Sequence, residues 1–108
     1  MNVPLKGKEI TLRPVDRLNF MWMLERLIEG RPGFAFFKCQ LEGELVYIFS
    51  RHQHYLGKRW PCLFIMGKGW NHPIVLSDKK DWLEPYHYLQ AIDRDLSARS
   101  HAQQPIIR

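Results

Sequence analysis

Apolar residues recur three or four positions apart in two stretches of the chain, and this spacing predicts two amphipathic helices. The first is predicted over residues 17–29, with Asp16 as its N-cap and Gly30 as its C-terminal cap. The second begins near Asp81, which has a glutamate three residues later as in a capping box, and runs to Arg99. The predicted apolar faces consist of Phe20, Leu24, Leu27 and Ile28 in the first helix and of Tyr86, Leu89, Ile92 and Leu96 in the second.

Two strand-like runs, residues 34–41 and 44–51, are separated by Glu42 and Gly43 and predict a tight β-hairpin. If Leu41 pairs with Glu44, one face of the hairpin is almost entirely apolar and the other is mixed aromatic and basic. The apolar face then pairs Cys39 with Val46, Phe37 with Ile48 and Ala35 with Ser50, while the mixed face pairs Gln40 with Leu45, Lys38 with Tyr47, Phe36 with Phe49 and Phe34 with Arg51.

Shorter runs predict the rest of the sheet. Residues 8–14 alternate apolar and polar, and Pro14 places this strand at a sheet edge because proline cannot donate a ladder hydrogen bond. Residues 60–66 and 73–76 predict two further strands, whereas residues 52–59 are predicted as a loop or a bent strand end. The order of elements indicates a small two-layer α+β domain, with two helices and a mainly antiparallel sheet of about four to five strands.

The length of 108 residues suits a single domain. We expect residues 1–99 to form it and residues 100–108, which lack apolar periodicity, to be a flexible C-terminal tail. No apolar run approaches the ~18 residues of a membrane span, and the first residues lack the apolar core of a signal peptide. We therefore expect a cytoplasmic protein with no membrane partner, in which the two cysteines are buried free thiols.

Charged residues are unevenly distributed along the chain. Sixteen Lys and Arg against eleven Asp and Glu give a formal net charge of +5, and no acidic residue lies between Glu44 and Asp78. The same interval contains several aromatic residues. Nucleic-acid binding needs cations for phosphates and flat side chains for unstacked bases. We therefore predict a small basic binding protein whose preferred partner is RNA or DNA, bound through Arg51, Lys58, Arg59, Trp60, Lys68 and Trp70.

The mixed face of the predicted hairpin offers a second candidate platform for the same partner. Its aromatic residues and the two cations beside them could hold bases and phosphates together. Aromatic residues of a sheet more often pack beneath a helix, in which case this face would be buried. The residues of this platform are Phe34, Phe36, Tyr47 and Phe49, with Lys38 and Arg51 beside them.

Trp22 differs from the other large apolar residues of the first predicted helix. Three of the four residues three and four positions away are polar, namely Asn19, Glu25 and Arg26, so it is predicted on the solvent side. An exposed tryptophan is a candidate anchor for a protein contact. The alternative function is therefore a protein-binding regulator, inhibitor or adaptor that uses Trp22 and Arg26 against an acidic protein surface, as a monomer or a homodimer.

Motifs for catalysis are absent, so we assign no catalytic residue, no cofactor and no metal site, and expect a binding protein rather than an enzyme. His52 and His54 would lie on one side of a strand, but no ligand set nearby completes a metal site. A metal-independent ribonuclease is the third alternative, since general acid–base cleavage of RNA needs only side chains of these types. Its candidate residues would be Arg51, His52, His54, Tyr55 and Arg59.

Overall fold

The computed structural model describes residues 1–33 and 35–103, with side chains as far as residue 99. The chain forms six strands, a short 3-10 helix and two α-helices. In chain order these are β1 (Asn2–Leu5), β2 (Lys8–Leu12), the 3-10 helix (Pro14–Asp16), α1 (Arg17–Ile28), β3 (Phe36–Leu41), β4 (Glu44–Tyr55), β5 (Lys58–Gly67), β6 (Ile74–Leu76) and α2 (Lys79–Gln103).

The six strands form one antiparallel sheet in the order of the chain, which confirms the α+β class. The sheet has six strands rather than the four to five that the sequence predicted. Alternate strand residues and both helices bury their apolar side chains in one core, so the helices cover one face of the sheet. The largest fully buried side chains are Phe20, Ile10, Leu12, Met23, Leu24, Leu27, Ile48, Leu63, Leu76, Leu89, Val3 and Val46.

The N-terminal hairpin corrects the prediction of an edge strand over residues 8–14. β1 pairs with β2 across a turn at Lys6 and Gly7, and β2 pairs with β3 on its other side, so β2 is an interior strand. Pro14 does not interrupt the ladder because it lies beyond the strand, at the start of the 3-10 helix. Proline suits that position, where its missing N–H would have no helical partner.

The predicted hairpin and its register are confirmed. β3 and β4 pair from Leu41 with Glu44 to Phe36 with Phe49. Glu42 and Gly43 both have positive φ, 53° and 83°, as a two-residue type I′ turn requires. The predicted partner of Arg51 in this register, Phe34, lies outside the described residues.

Beyond the pair of Phe36 with Phe49, the backbone ladder between β3 and β4 ends, and a serine side chain of β4 bonds to the backbone that precedes β3. Ala35 is not part of β3, so the predicted pair of Ala35 with Ser50 is not formed. Instead, the buried Ser50 hydroxyl accepts a hydrogen bond from the Gly33 N–H at 2.7 Å and donates one to the Gly33 carbonyl at 2.9 Å. The connection from α1 therefore leaves the edge of β4 at this point.

The prediction of a loop or a bent strand end over residues 52–59 is wrong, because both strands continue through this segment up to a two-residue turn. β4 and β5 form one long hairpin with ten residue pairs, from Val46 with Gly67 to Tyr55 with Lys58. Its turn consists of Leu56 and Gly57, which have positive φ like the other two-residue turns. The second helix also extends past its predicted end at Arg99, since α2 continues to Gln103; residues 104–108 of the predicted tail lie outside the described residues.

Candidate nucleic-acid interface

The end of the β4–β5 hairpin projects beyond the rest of the sheet. β3 pairs with β4 only as far as Phe49, and β6 pairs with β5 only as far as Leu63. Residues 51–55 and 58–62, with the turn between them, therefore form a two-stranded arm, which we call the ribbon. Five residues per strand give the ribbon a length of about 17 Å.

The charge of the ribbon is entirely positive. It contains Arg51, Lys58 and Arg59 and no acidic residue, and all three side chains are exposed. Among the residues that the structure describes, the six ion pairs involve other cations, namely Lys6, Lys8, Arg13, Arg17, Arg31 and Arg99. None of the three cations of the ribbon takes part in these ion pairs, so they can meet external phosphates. The acidic residue Asp78 does reach the ribbon, where it lines a pocket with Gln53 and Trp60 on the open face.

The predicted site residues of the ribbon divide between its two faces, because successive side chains of a strand point to opposite sides. Arg51, Lys58 and Trp60 share the face that continues the uncovered side of the sheet, which we call the open face. Arg59 lies on the opposite face, across from His54. Trp60 is paired with Gln53 and is 51% exposed.

Aromatic side chains line the open face where the ribbon joins the sheet. This aromatic row consists of Phe36, Tyr47, Phe49 and Phe64, with ring centroids 5.1–5.8 Å apart. Phe36 is 59% exposed, so no helix covers the row. The guanidinium of Arg51 lies 5.2 Å from the centre of the Phe49 ring and joins the row to the ribbon.

The aromatic row contains three residues of the predicted platform, whereas Phe64 was not predicted. Phe64 belongs to the row because it pairs directly with Phe49 across β4 and β5. The X-Gly turn at Leu56 and Gly57, of the same kind as Glu42 and Gly43, could have set this register from the sequence.

Lys68 and Trp70 do not join the other predicted site residues. They follow the far end of β5, nine residues and about 30 Å from Lys58. Trp70 is half-buried against the core and packs directly on Gly67, where an added Cβ would lie 2.4 Å from the indole ring. Packing against the core and Gly67 accounts for Trp70. The six predicted site residues therefore divide into two groups, with four on the ribbon and Lys68 and Trp70 beyond the other end of β5.

An open groove of about 500 Å³ lies along the edge of β4 that β3 leaves free. His52, His54 and Arg59 line it, together with residues 32–33 and 35–36 of the connection into β3. Nη2 of Arg59 lies 2.9 Å from Nδ1 of His52. Because a guanidinium has donors only, Nδ1 accepts this hydrogen bond and the remaining proton of a neutral ring is on Nε2. The neutral ring of His52 is thus a hydrogen-bond donor at Nε2.

Trp22 is exposed on α1, as the sequence predicted. Leu18, four residues before Trp22, is also exposed and lies on the same side of α1. Val15, in the preceding 3-10 helix, is exposed as well. The guanidinium of Arg26 lies 5.0 Å from the centre of the Trp22 ring and donates a hydrogen bond to the Pro32 carbonyl at 3.3 Å. These contacts form a small apolar surface with one cation.

Both cysteines are buried free thiols, as expected. Burial raises the pKa of Cys39 to about 12, with a smaller contribution from the charge of Asp16. Burial also raises the pKa of Cys62. The thiolate is the reactive form of cysteine, so these two groups are poor nucleophiles at neutral pH.

Among the side chains that the structure describes, no three His, Cys, Asp or Glu residues lie together in a group that could hold a metal ion. Within the same part of the chain, neither helix is long and apolar enough to cross a bilayer. Comparisons of the chain with protein-family models, curated proteins and solved structures give no match.

Proposed function

We propose that this protein binds nucleic acid through the ribbon. Arg51, Lys58 and Arg59 contact phosphates, and Trp60 packs against a base or a sugar. The observation that supports this function best is the set of three exposed cations on a projecting arm that has no acidic residue and no ion pair in the described part of the chain. A cation without a carboxylate partner gives up no existing ion pair when it binds a phosphate.

The energetic gain from such contacts comes mainly from counterion release. Each phosphate that a cation neutralises releases condensed counterions, and log K falls with log salt by about 0.9 per contact on duplex and about 0.7 on a single strand. Three contacts from Arg51, Lys58 and Arg59 therefore predict a slope of about −2.7 on duplex or about −2.1 on a single strand. This salt dependence is the measurable signature of the ribbon.

The test compares two double variants with the same change in net charge. Lys58→Ala with Arg59→Ala removes two cations of the ribbon, and Lys79→Ala with Lys80→Ala removes two exposed cations at the start of α2. The ribbon variant should flatten the salt slope by about 1.8 on duplex, whereas the α2 variant should leave it nearly unchanged. Fluorescence anisotropy of a labelled mixed-sequence oligonucleotide measures both. Equal losses in the two variants would show general attraction by a basic protein and contradict the proposal.

Trp60 separates specific packing from charge at the same site. Trp60→Ala should weaken binding by ~1–3 kcal/mol without changing the salt slope, because stacking releases no counterions. Trp70→Phe is the matched control, since Trp70 packs on Gly67 at the other end of β5. If Trp60→Ala binds like the wild type, the aromatic part of the proposed site is wrong.

The arrangement of His52 favours binding over RNA cleavage. In a neutral His52 that accepts a hydrogen bond from Arg59 at Nδ1, Nε2 carries a proton and cannot act as a general base. His54 and Tyr55 would have to supply proton transfer in the ribonuclease alternative.

The exposed apolar surface of α1 supports a second candidate function, the binding of a protein partner. Val15, Leu18 and Trp22 have no cover among the described residues, and tryptophan is enriched at the centres of protein interfaces. Affinity purification with and without nuclease distinguishes the two functions. Capture that nuclease abolishes supports nucleic-acid binding, whereas capture that survives nuclease and is lost in Trp22→Ala supports a protein partner.

A further inference from the structure

The turn at the tip of the ribbon holds an apolar residue in an unfavourable place. Leu56 has a φ of 50° and is 84% exposed. The corresponding first positions of the other two-residue turns hold the polar residues Lys6 and Glu42, at φ of 49° and 53°. Asparagine is the residue that this position favours, because its short polar side chain tolerates positive φ. Neither folding nor solubility explains a leucine there.

The side chains around Leu56 indicate what an apolar tip could contact. The exposed Tyr55 precedes it, and Lys58 and Arg59 follow within three residues. The exposed Trp60 lies further back, two ladder positions from the end of the ribbon. The strands of the ribbon carry cations on both faces: Arg51 and Lys58 lie on the open face, and Arg59 lies on the opposite face. A partner that surrounds the arm with negative charge fits this distribution better than a flat anionic surface, which would meet only one side.

A two-stranded ribbon fits the ~12 Å major groove of B-DNA directly, and it fits the ~6 Å minor groove only where that groove widens, as it does where the duplex is kinked. The ribbon's length of about 17 Å spans about five base pairs at 3.4 Å each. Proteins that occupy the minor groove commonly insert an apolar side chain between base pairs, which unstacks one step and bends the duplex. The ribbon has both features: its cations can contact the two phosphate backbones, and Leu56 is an exposed apolar side chain at its turn.

We propose that the ribbon enters the minor groove of duplex DNA and that Leu56 inserts between two base pairs and bends the duplex. This inference rests on the proposed nucleic-acid binding and names its substrate. The cations supply affinity, and the leucine supplies the deformation. Removal of the leucine should therefore abolish bending while leaving most of the binding intact.

The test measures bending and binding on the same molecule. A DNA duplex of about 18 base pairs, about 60 Å long, carries a donor and an acceptor dye at its two ends. A central bend of about 60° shortens the end-to-end distance to about 53 Å, so energy transfer should rise when the wild-type protein binds. Leu56→Asn should bind with less than a tenfold loss of affinity and an unchanged salt slope, but without the rise in energy transfer. Its melting temperature should be at least that of the wild type, because asparagine suits the turn.

Leu18→Asn is the matched control, since it removes an exposed leucine from α1 and should leave bending unchanged. Bending that persists in Leu56→Asn, or wild-type binding without bending, overturns the inference and leaves the proposed function standing. The absence of binding to any DNA or RNA oligonucleotide contradicts the proposed function itself. Sedimentation with phosphatidylserine vesicles that depends on Leu56, without DNA bending, would assign the tip to a lipid surface and overturn the inference.

Discussion

The Ser50 hydroxyl holds the connection from α1 at the point where the ribbon begins, and Ser50→Ala tests that role. The hydroxyl accepts the Gly33 N–H at 2.7 Å and donates to the Gly33 carbonyl at 2.9 Å. Ser50 is buried, and the alanine variant would leave both backbone groups of Gly33 without this partner. We expect the variant to be less stable than the wild type.

The size of the effect follows from the two hydrogen bonds and from access of water. A buried backbone group that loses its partner costs about 1–3 kcal/mol. Two such groups would cost about 2–6 kcal/mol, but Ser50 and Gly33 both line the open groove, where water can replace part of the loss. We therefore expect a loss of about 2 kcal/mol, at the lower end of this range.

Urea unfolding measures this loss directly. With an m value of about 1.5 kcal/mol per molar, a loss of about 2 kcal/mol lowers the midpoint by about 1.3 M. Thr11→Val is the matched control: the Thr11 hydroxyl donates to Oδ1 of Asn2 at 3.0 Å in an exposed position, and its removal should cost less than about 0.5 kcal/mol. A midpoint of Ser50→Ala as close to the wild type as that of the control, with the same m value, would refute the reasoning.

Three further changes test the turn, the packing of Trp70 and the buried thiol. Gly43→Val should lower the melting temperature because φ is 83° there and a β-branched residue costs about 1–3 kcal/mol in that region; an unchanged melting temperature would contradict the turn. Gly67→Ala should cost about 1–3 kcal/mol in urea unfolding, because its Cβ meets the indole of Trp70, and much less in a Trp70→Ala background. The pKa of Cys39 is raised to about 12, so the folded state keeps its proton when the unfolded state loses it; stability should fall as pH rises from about 9 towards 12, and less so in Cys39→Ala.

The sequence predicted the β3–β4 hairpin correctly because its turn residues and its alternation of apolar and polar residues both indicate the same register. The β3–β4 hairpin has a two-residue turn ending in Gly43 and an alternation that buries Cys39 and Phe37, so a shift by one residue would expose the core. The N-terminal hairpin has the same kind of turn at Gly7, but β1 is only four residues long and buries only Val3 and Leu5. Two buried residues are too few to show the two-residue period of a strand, so β1 was not predicted although the sequence contains the glycine of its turn.

The ribbon could not be predicted from alternation because Cys62 is its one buried residue. Residues 52–55 and 58–60 are polar or exposed on both sides, so hydrophobic periodicity is absent there. Its strands persist because the backbone ladder continues from Ser50 with Leu63 to Tyr55 with Lys58 and is closed by the turn at Gly57. The candidate site residues were found by charge, which does not depend on periodicity.

The six site residues were predicted together because they are close in the sequence. Four of them lie on the ribbon, whereas Lys68 and Trp70 do not. Arg51 and Lys58 are seven residues apart, and the hairpin folds back between them so that both lie on the open face of the ribbon, four ladder positions or about 14 Å apart. Lys58 and Lys68 are ten residues apart and lie far from each other because β5 is extended between them. A basic interval in a sequence therefore locates a site only once the turns within it are known.

The distribution of ion pairs links the electrostatics of the ribbon to its function. Elsewhere in the described chain, cations such as Arg13 and Arg17 lie 2.9 Å and 2.8 Å from carboxylates, and these contacts connect elements of the fold. The ribbon makes no such contact, and its contribution to the core is negligible. Three neighbouring cations repel one another, at a cost that falls with salt and with any bound polyanion. Removing the charges of Lys58 and Arg59 should consequently leave the free energy of unfolding unchanged or slightly increased while weakening the binding of nucleic acid. A ribbon whose charges stabilised the fold would show the opposite result in urea unfolding at low salt.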